Sequence, residues 1–332
     1  MFDFIPDYVF LFVFGLILLI KGGDWFVDAA SSIAKRFKLP ELLIGATVVS
    51  IGTTLPEVMT SATSAMTGHG EIAYGNAIGS IICNTALIAA VTIAIKPSKA
   101  DRKALIFPVS TFFAVAIFYA ANAYIFGKFS LVSGIILLVA FVAYMIFTVL
   151  NMLKDKDAAT ELPELEVTNE ESEEGGSLIK DIIFIIVGAL VIAVGADLLV
   201  DSSTLIAHKL NLPESVIGLT IVALGTSLPE LVTAITSLMK GHGALSLGNI
   251  IGANIFNLVL VSGVAITISP FPVPQNATLF GQNASLVLEI PVMLAVMAIL
   301  TIPTILRGKL SRVQGISLLA IYVAFCAIQF TL

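Results

Sequence analysis

The chain has 332 residues, of which 58% are hydrophobic and 12% charged, and its mean hydropathy is +1.02. Ordinary globular domains carry about 25% charged residues, so this composition excludes a soluble globular fold and indicates a lipid-bilayer protein with many spans. The net charge of −6 is shaped by a cluster of nine acidic residues between Asp155 and Glu174, and the chain has no basic patch suited to nucleic acid. The two cysteines suggest neither a disulfide framework nor a cysteine-based metal site.

Apolar segments long enough to cross a bilayer follow one another along the whole chain, separated by glycine, proline and charged residues. The first segment lacks the basic region and cleavage site of a secretory signal, so we expect it to be retained as a helix. The sequence thus predicts an all-α polytopic membrane protein with ten transmembrane helices. Their predicted positions are 8–34, 41–66, 72–95, 104–123, 129–151, 179–207, 214–239, 244–268, 285–305 and 312–331.

The two halves of the chain are copies of each other. Without a gap, residues 22–84 match residues 195–257 at 31 of 63 positions, which is well beyond what shared hydrophobicity produces. Each half holds five spans, an odd number, so the second half is expected to be inverted relative to the first. The predicted division is a first five-helix repeat at 1–152, a linker at 153–177, and a second, inverted repeat at 178–332.

The basic residues indicate the orientation. If the N-terminus is outside, fourteen lysines and arginines fall in inside loops and two, Lys128 and Lys209, fall outside. This bias follows the positive-inside rule and places both termini outside, in a plasma or inner membrane. The acidic linker is then cytoplasmic. We interpret it as a solvated tether rather than a calcium sensor, because it is short and lacks the spacing of an EF-hand.

A polar motif interrupts the second span and returns in the seventh. Gly52-Thr53-Thr54-Leu55-Pro56-Glu57 is repeated as Gly225-Thr226-Ser227-Leu228-Pro229-Glu230. A carboxylate inside a membrane span costs roughly 2.5–3.5 kcal/mol or more, so two retained copies predict a function. Helical spacing places the hydroxyl residues on the same face as each glutamate, and the proline loosens the local hydrogen bonding. Carboxylate, hydroxyl and carbonyl oxygens are the ligands that hard cations prefer.

The next span of each half carries a second polar stripe at intervals of four residues. Asn76, Ser80 and Asn84 correspond to Asn249, Ala253 and Asn257 in the second half. Such a stripe can simply hold helices together in lipid. Beside two glutamates near the bilayer midplane, however, ion binding or cavity lining is the favoured interpretation.

Two other features receive weaker interpretations. Asp24 and Asp28 follow Lys21 at helical spacing, which suggests an ion pair within the first span; packing or solvation is favoured over a role in cation access. His69 and His242 lie in Gly-His-Gly sequences and are interpreted as turn residues.

The paired motifs resemble the two alpha repeats of the sodium/calcium exchangers, in the calcium/cation antiporter superfamily. The resemblance rests on Gly-Thr-Thr-Leu-Pro-Glu with Gly-Asn-Ala-Ile-Gly-Ser-Ile-Ile-Cys-Asn, and on their second-half counterparts. It implies an antiporter rather than an enzyme, with no cofactor, that transports calcium and sodium ions. It also implies that the first and sixth spans slide against the other eight. The implied ion-binding residues are Ser50, Thr53, Thr54, Glu57, Ser80, Asn84, Ala223, Thr226, Ser227, Glu230 and Asn257.

Within that resemblance calcium lies between Glu57 and Glu230, near the backbone oxygens of Thr53 and Thr226. Sodium occupies overlapping and flanking positions, which include the carbonyl groups of Ser50 and Ala223. Asn84 and Asn257 line the centre.

The chain departs from the family pattern at two positions. Ala253 stands where a serine is common, which puts one sodium site in doubt, and Asn257 stands where an acidic residue is common. Proton-coupled relatives carry a glutamate where this chain has Gly79 and Gly252, which argues against proton coupling. The large regulatory loop of eukaryotic exchangers is absent, so the prokaryotic type is expected. Potassium- or proton-linked calcium exchange, a passive channel and an intramembrane hydrolase remain as alternatives.

Overall fold

The structure is a computed structural model that describes residues 7–37, 41–160, 178–209, 225, 227–275, 277–329 and 331. Most of these residues lie in ten helical segments, several of which combine α-helical and π-helical turns. We number them α1 (Asp7–Arg36), α2 (Glu41–Ile44, Gly45–Val49 and Ser50–Met66), α3 (Gly70–Cys83, Asn84–Ala89 and Ala90–Ile95), α4 (Arg102–Ala121 and Asn122–Phe126), α5 (Leu131–Thr160), α6 (Leu178–Lys209), α7 (Leu228–Met239), α8 (Gly243–Phe256, Asn257–Val261 and Ser262–Ile268), α9 (Ser285–Glu289 and Ile290–Arg307) and α10 (Arg312–Gln329).

Nine of the described helices are long and apolar enough to cross a membrane. They coincide within a few residues with nine of the ten predicted spans. The predicted seventh span, 214–239, is represented by α7, which covers Leu228–Met239. Residues 214–224 of that span lie outside the described residues. Helix α5 continues to Thr160, eight residues beyond the predicted end of the first repeat, and residues 161–177 of the predicted linker also lie outside the described part.

Helices α1 and α6 form a closely packed pair. A Cβ atom at Gly22 would lie 2.9 Å from Ile192 Cγ1, and one at Gly195 would lie 2.9 Å from the carbonyl oxygen of Gly15. Such distances require glycine, because small residues are what allow helix backbones to approach closely in lipid. Leu19, Phe26 and Ile192 belong to a hydrophobic cluster that is separate from the main core. The same cluster contains Ile44 and Val49 of α2 and Leu245 of α8, so the α1–α6 pair packs against these helices apart from the main core.

The main core contains apolar residues of α2–α5 and α7–α10. Within it, α2 and α3 of the first half contact α7 and α8 of the second half. The buried polar residues of the chain are concentrated on these four helices, which places the candidate site at the interface of the two halves.

Short strands occur in the loops, which the all-α prediction did not include. Strand β1 (Lys128–Phe129) pairs antiparallel with β2 (Phe271–Pro272), and β3 (Thr278–Leu279) pairs with β4 (Gln282–Asn283) in a hairpin. The first pair joins the α4–α5 loop of the first half to the α8–α9 loop of the second. On another pair of loops, Lys99 and Lys309 form an isolated antiparallel bridge. The halves are thus tied together by backbone hydrogen bonds as well as by helix packing.

Candidate cation-binding site

Two buried glutamates occupy equivalent positions on α2 and α7. Glu57 and Glu230 both have no exposed surface. Each follows a proline: Pro56 lies inside α2, and Pro229 lies in the first turn of the described part of α7. Because proline has no N–H group, Pro56 leaves the carbonyl of Gly52 without its usual helical donor. The motif therefore combines a carboxylate with a backbone oxygen that is available one turn away.

Buried polar atoms without hydrogen-bond partners are concentrated around these glutamates. Among the described residues, neither carboxylate oxygen of Glu57 accepts a hydrogen bond, and neither does Oε2 of Glu230. The side-chain amides of Asn84 and Asn257 are also buried, and they too have no hydrogen-bond partner among the described residues. Native proteins leave few such groups, since an unsatisfied buried polar group costs about 1–3 kcal/mol and a charged one costs more. Carboxylate and amide oxygens in this condition are suited to coordinating a cation.

Asn84 and Asn257 each open a π-helical segment, Asn84–Ala89 in α3 and Asn257–Val261 in α8. Single π-helical turns often mark functional sites, because they change the direction of side chains and free backbone carbonyls. The two segments lie at equivalent positions of the repeat. Sequence analysis placed both asparagines at the centre but did not predict the change of helix type.

Asn76 and Asn249 have a different role from the one expected for a ligand. Asn76 Nδ2 donates to the backbone oxygen of Glu57 at 3.1 Å and to Ser61 Oγ at 2.8 Å. Asn249 Oδ1 accepts from Thr53 Oγ1 at 3.3 Å, and its Nδ2 donates to Thr233 Oγ1 at 2.9 Å. These amides fix the two helices that carry the glutamates, so we assign them as positioning residues.

Other polar contacts join the halves across the site. Thr54 Oγ1 donates to Glu230 Oε1 at 3.4 Å, and Ser227 Oγ donates to Ser80 Oγ at 3.5 Å. Ser50 Oγ lies 3.0 Å from the carbonyl oxygen of Asn249. Nine of the eleven predicted ion-binding residues are described. Eight of them lie on α2, α3, α7 and α8, and the ninth, Ser227, directly precedes α7. The other two, Ala223 and Thr226, lie outside the described residues.

The predicted ion pair of Lys21 with Asp24 and Asp28 is wrong. Both aspartates instead pair with Lys240, which directly follows α7: Lys240 Nζ lies 2.8 Å from Asp28 Oδ1 and 3.3 Å from Asp24 Oδ1. Spacing along one helix could not reveal a partner that is 216 residues away from Asp24. Partial burial alone would lower the pKa of Lys240, but the hydrogen bonds and charges of Asp28 and Asp24 raise it above its ordinary value. Lys240 therefore stays charged and ties α1 to the end of α7.

The two histidines lie in turns, as predicted. Gly68 and Gly241 adopt φ angles of +81° and +85°, which glycine tolerates far better than other residues. The following N–H groups of His69 and His242 donate to Ser64 and Ser237, which closes the C-terminal ends of α2 and α7.

The donor set favours a hard cation. In the described part of the chain, no group of three or more His, Cys, Asp or Glu residues could hold a metal ion. The site offers two carboxylates together with hydroxyl, amide and carbonyl oxygens, and such a set suits calcium or sodium better than zinc or iron.

Comparisons with known proteins agree with this chemistry. The family profile described as sodium/calcium exchanger protein matches residues 8–150 and 180–331. The chain is 31% identical over 351 residues to the sodium/calcium exchanger MaX1 of Methanosarcina acetivorans, covering 96% of this chain and 97% of that protein. It is also 33% identical over 287 residues to the inner membrane protein YrbG of Escherichia coli, covering 86% and 87%.

The fold matches a solved exchanger as well. The sodium-calcium exchanger NCX_Mj, in a structure soaked with Na⁺ and Sr²⁺, superposes with a TM-score of 0.79 at 33% identity, covering 97% of this chain and 98% of that one. Matches of this extent, over both halves, show common ancestry of the whole chain. The chain therefore belongs to the sodium/calcium exchanger family, a family of multi-pass membrane proteins that act as cation antiporters rather than enzymes.

Proposed function

We propose that the chain exchanges sodium for calcium by alternating access at the site formed by α2, α3, α7 and α8. In this proposal ten spans form two inverted five-helix repeats, and the site lies near the bilayer midplane where the repeats meet. The termini face outside, and the linker after α5 faces the cytoplasm. The observation that carries the proposal is the group of buried oxygens with no hydrogen-bond partner among the described residues: both carboxylate oxygens of Glu57, Oε2 of Glu230, and the amide oxygens of Asn84 and Asn257.

Charge balance supports exchange between one calcium ion and several sodium ions. Two carboxylates, with asparagine at both 84 and 257, offer two formal negative charges, which one calcium ion neutralises. A single sodium ion leaves one buried charge unbalanced, and unpaired buried charges are costly. Sodium therefore competes only when more than one ion enters the same oxygen-lined cavity. Binding of the two ions is then mutually exclusive, and exchange of more than two sodium ions per calcium moves net charge.

The packing of α1 and α6 supports the alternating step. Their cluster is separate from the main core, so the pair can shift at its contacts with α2, α7 and α8 without repacking that core. Sliding of packed helices is a common way to open one side of a site while closing the other.

Potassium-linked exchange is the second candidate, and a partial likeness favours it. The chain is 28% identical over 141 residues to the sodium/potassium/calcium exchanger 4 of Mus musculus, covering 42% of this chain and 23% of that protein. We place it second, because the described part of the site has no carboxylate beyond Glu57 and Glu230 that could hold an additional monovalent ion.

Transport by the purified protein in liposomes tests the proposal. Vesicles loaded with sodium and diluted into potassium-free medium should take up labelled calcium. The rate of uptake should differ between membrane potentials that are clamped at different values by another ion. External sodium should lower the apparent affinity for calcium. Strict dependence on potassium, or on a pH gradient in place of sodium, would favour the alternative exchange reactions instead.

A further inference from the structure

The two halves of the chain differ in where they carry serine. At the repeat offset of 173 residues, Ser50 corresponds to Ala223, and Ser80 corresponds to Ala253. Both hydroxyl groups therefore belong to the first half, and both alanines belong to the second. At these two positions the second repeat carries alanine in place of serine.

Helices of the first half pack on helices of the second half. The two serine hydroxyls therefore fall in two different helix pairs, one in each. Helix α2 packs on α8, where Ser50 Oγ and Thr53 Oγ1 contact Asn249. Helix α7 packs on α3, where Ser227 Oγ contacts Ser80 Oγ. Each cross-half pair therefore contains one of the two serines. Ser50 on α2 lies against Asn249 and Gly252 of α8, next to Ala253, and Ser80 on α3 lies against Ser227, which directly precedes α7.

We propose, on the basis of the proposed sodium/calcium exchange, that the Ser50 hydroxyl coordinates sodium and replaces the hydroxyl that Ala253 lacks. By the repeat, Ala253 faces Thr54 as Ser80 faces Ser227. Ser50 lies one helical turn before Thr54 on the same face of α2, so its hydroxyl borders the same part of the site.

The surroundings of Ser50 fit this role. Its side chain is fully buried, and Oγ lies 2.7 Å from the carbonyl oxygen of Gly45 and 3.0 Å from that of Asn249. One hydroxyl proton can serve only one of these carbonyls at a time, and both lone pairs of Oγ stay free to bind a cation. A Cβ atom at Gly252 would lie 2.2 Å from Ser50 Oγ, so glycine at 252 lets the hydroxyl reach the surface of α8 beside Ala253.

The competing explanation is that Ser50 only stabilises the packing of α2 on α8 and binds no ion. Moving the hydroxyl from one helix to the other separates the two roles. Ser50→Ala removes it, and Ser50→Ala combined with Ala253→Ser restores a hydroxyl from the opposite helix without rebuilding the contact with Gly45. Ala253→Ser alone, in the wild-type background, is the matched control for any effect of the new serine.

The measurements are sodium-dependent calcium uptake and calcium/calcium exchange in liposomes, with monodispersity in detergent as the check on folding. We expect Ser50→Ala to weaken apparent sodium affinity by up to about tenfold, the loss of one polar ligand, and to lower the Hill coefficient for sodium. Calcium/calcium exchange should persist, and the double variant should recover sodium affinity. Unchanged sodium dependence in Ser50→Ala would overturn the assignment, as would equal loss of both exchange modes without recovery in the double variant. If the wild type itself ignored sodium gradients, the proposed function would fail rather than the role of Ser50.

Discussion

The turn after α2 and the turn after α7 have the same backbone and different contacts. Gly68 and Gly241 adopt nearly the same positive φ angle, and the following histidines close both helices in the same way. The residues before these glycines make different contacts. Thr67 Oγ1 donates to the carbonyl of Thr63 at 3.0 Å, within its own helix end, whereas Lys240 pairs with Asp28 of α1. Duplication kept the conformation of the turns, and later substitution decided which one holds the first helix. In the predicted topology these turns lie on opposite faces of the membrane.

The largest expected effect comes from replacing the buried glutamate that both repeats carry. Glu57→Gln and Glu230→Gln each keep the shape of the side chain but halve the charge that faces a divalent ion. Calcium affinity should fall at least about a hundredfold in either variant, because breaking a buried charge pair costs roughly 3–5 kcal/mol. Calcium-binding calorimetry and liposome flux measure this directly.

Glu71→Gln is the matched control for both variants, since Glu71 is an exposed carboxylate in the first turn of α3. It should transport calcium like the wild type. Wild-type uptake by either Glu57→Gln or Glu230→Gln would contradict the assignment of the site.

The second prediction compares two glycines of α8. At Gly252 a Cβ atom would lie 2.6 Å from the Cα atom of Ala46 and 2.7 Å from its carbonyl oxygen, so backbone would have to move. Overpacking of this kind typically costs about 1–3 kcal/mol, and we expect Gly252→Ala to lower the thermal midpoint in detergent and to impair transport. At Gly243 a Cβ atom would lie 3.4 Å from Ser98 Cβ, which is an ordinary contact. Gly243→Ala should be milder, and an equal loss in both variants would contradict a tight contact between α2 and α8 at Gly252.

Sequence analysis found the residue motifs that are present twice and missed polar contacts that are present once. The glutamate motifs, the asparagine stripe and the glycine turns each appear at the repeat offset, and this redundancy is what made them recognisable. Asn254, by contrast, donates to Thr85 Oγ1 at 2.7 Å and contacts Met297 Sδ at 3.1 Å in the main core. Its repeat equivalent is Ile81, and that of Thr85 is Leu258, so no pattern pointed to this polar contact.

Sequence spacing also could not predict contacts between residues that are far apart along the chain. The spacing of Asp24 and Asp28 suggested the nearest cation, Lys21, because periodicity reports neighbours along one helix and not partners on another. Likewise, Asn249 and Asn76 have the chemistry of ligands, and only their hydrogen bonds to Thr53, Thr233, Ser61 and the Glu57 carbonyl assign them to positioning. The approximate positions of nine of the ten predicted spans followed from hydropathy alone, since span length is fixed by bilayer thickness.

The third prediction removes the asymmetry between the turns. Lys240→Met keeps most of the length of the side chain and deletes its charge, which removes the ion pairs between α1 and the end of α7. Because the pair is partly exposed, the loss of stability should not exceed about 1 kcal/mol. Hydrogen exchange near Asp24 and Asp28 should increase more than exchange elsewhere in α1. Met at position 67 in place of Thr67 is the control at the equivalent turn and should leave exchange in α1 unchanged; equal effects of both substitutions would contradict a specific tie at Lys240.

The smallest expected effect concerns the acidic linker. The predicted linker begins at residue 153, but helix α5 continues to Thr160. A replacement that spares the helix should therefore begin at residue 161. Residues 161–174 contain seven of the chain's acidic residues and few apolar ones, and they lack the ligand spacing of an EF-hand. A Gly/Ser segment of equal length should therefore change the rate of sodium-dependent calcium uptake by less than about twofold, the range expected when solvated residues away from the site are replaced. Flux at saturating and subsaturating cytoplasmic-side calcium, compared at equal protein incorporation, measures the effect. A large loss confined to subsaturating calcium would mean that the segment senses the ion, because a passive tether has no reason to respond to calcium concentration.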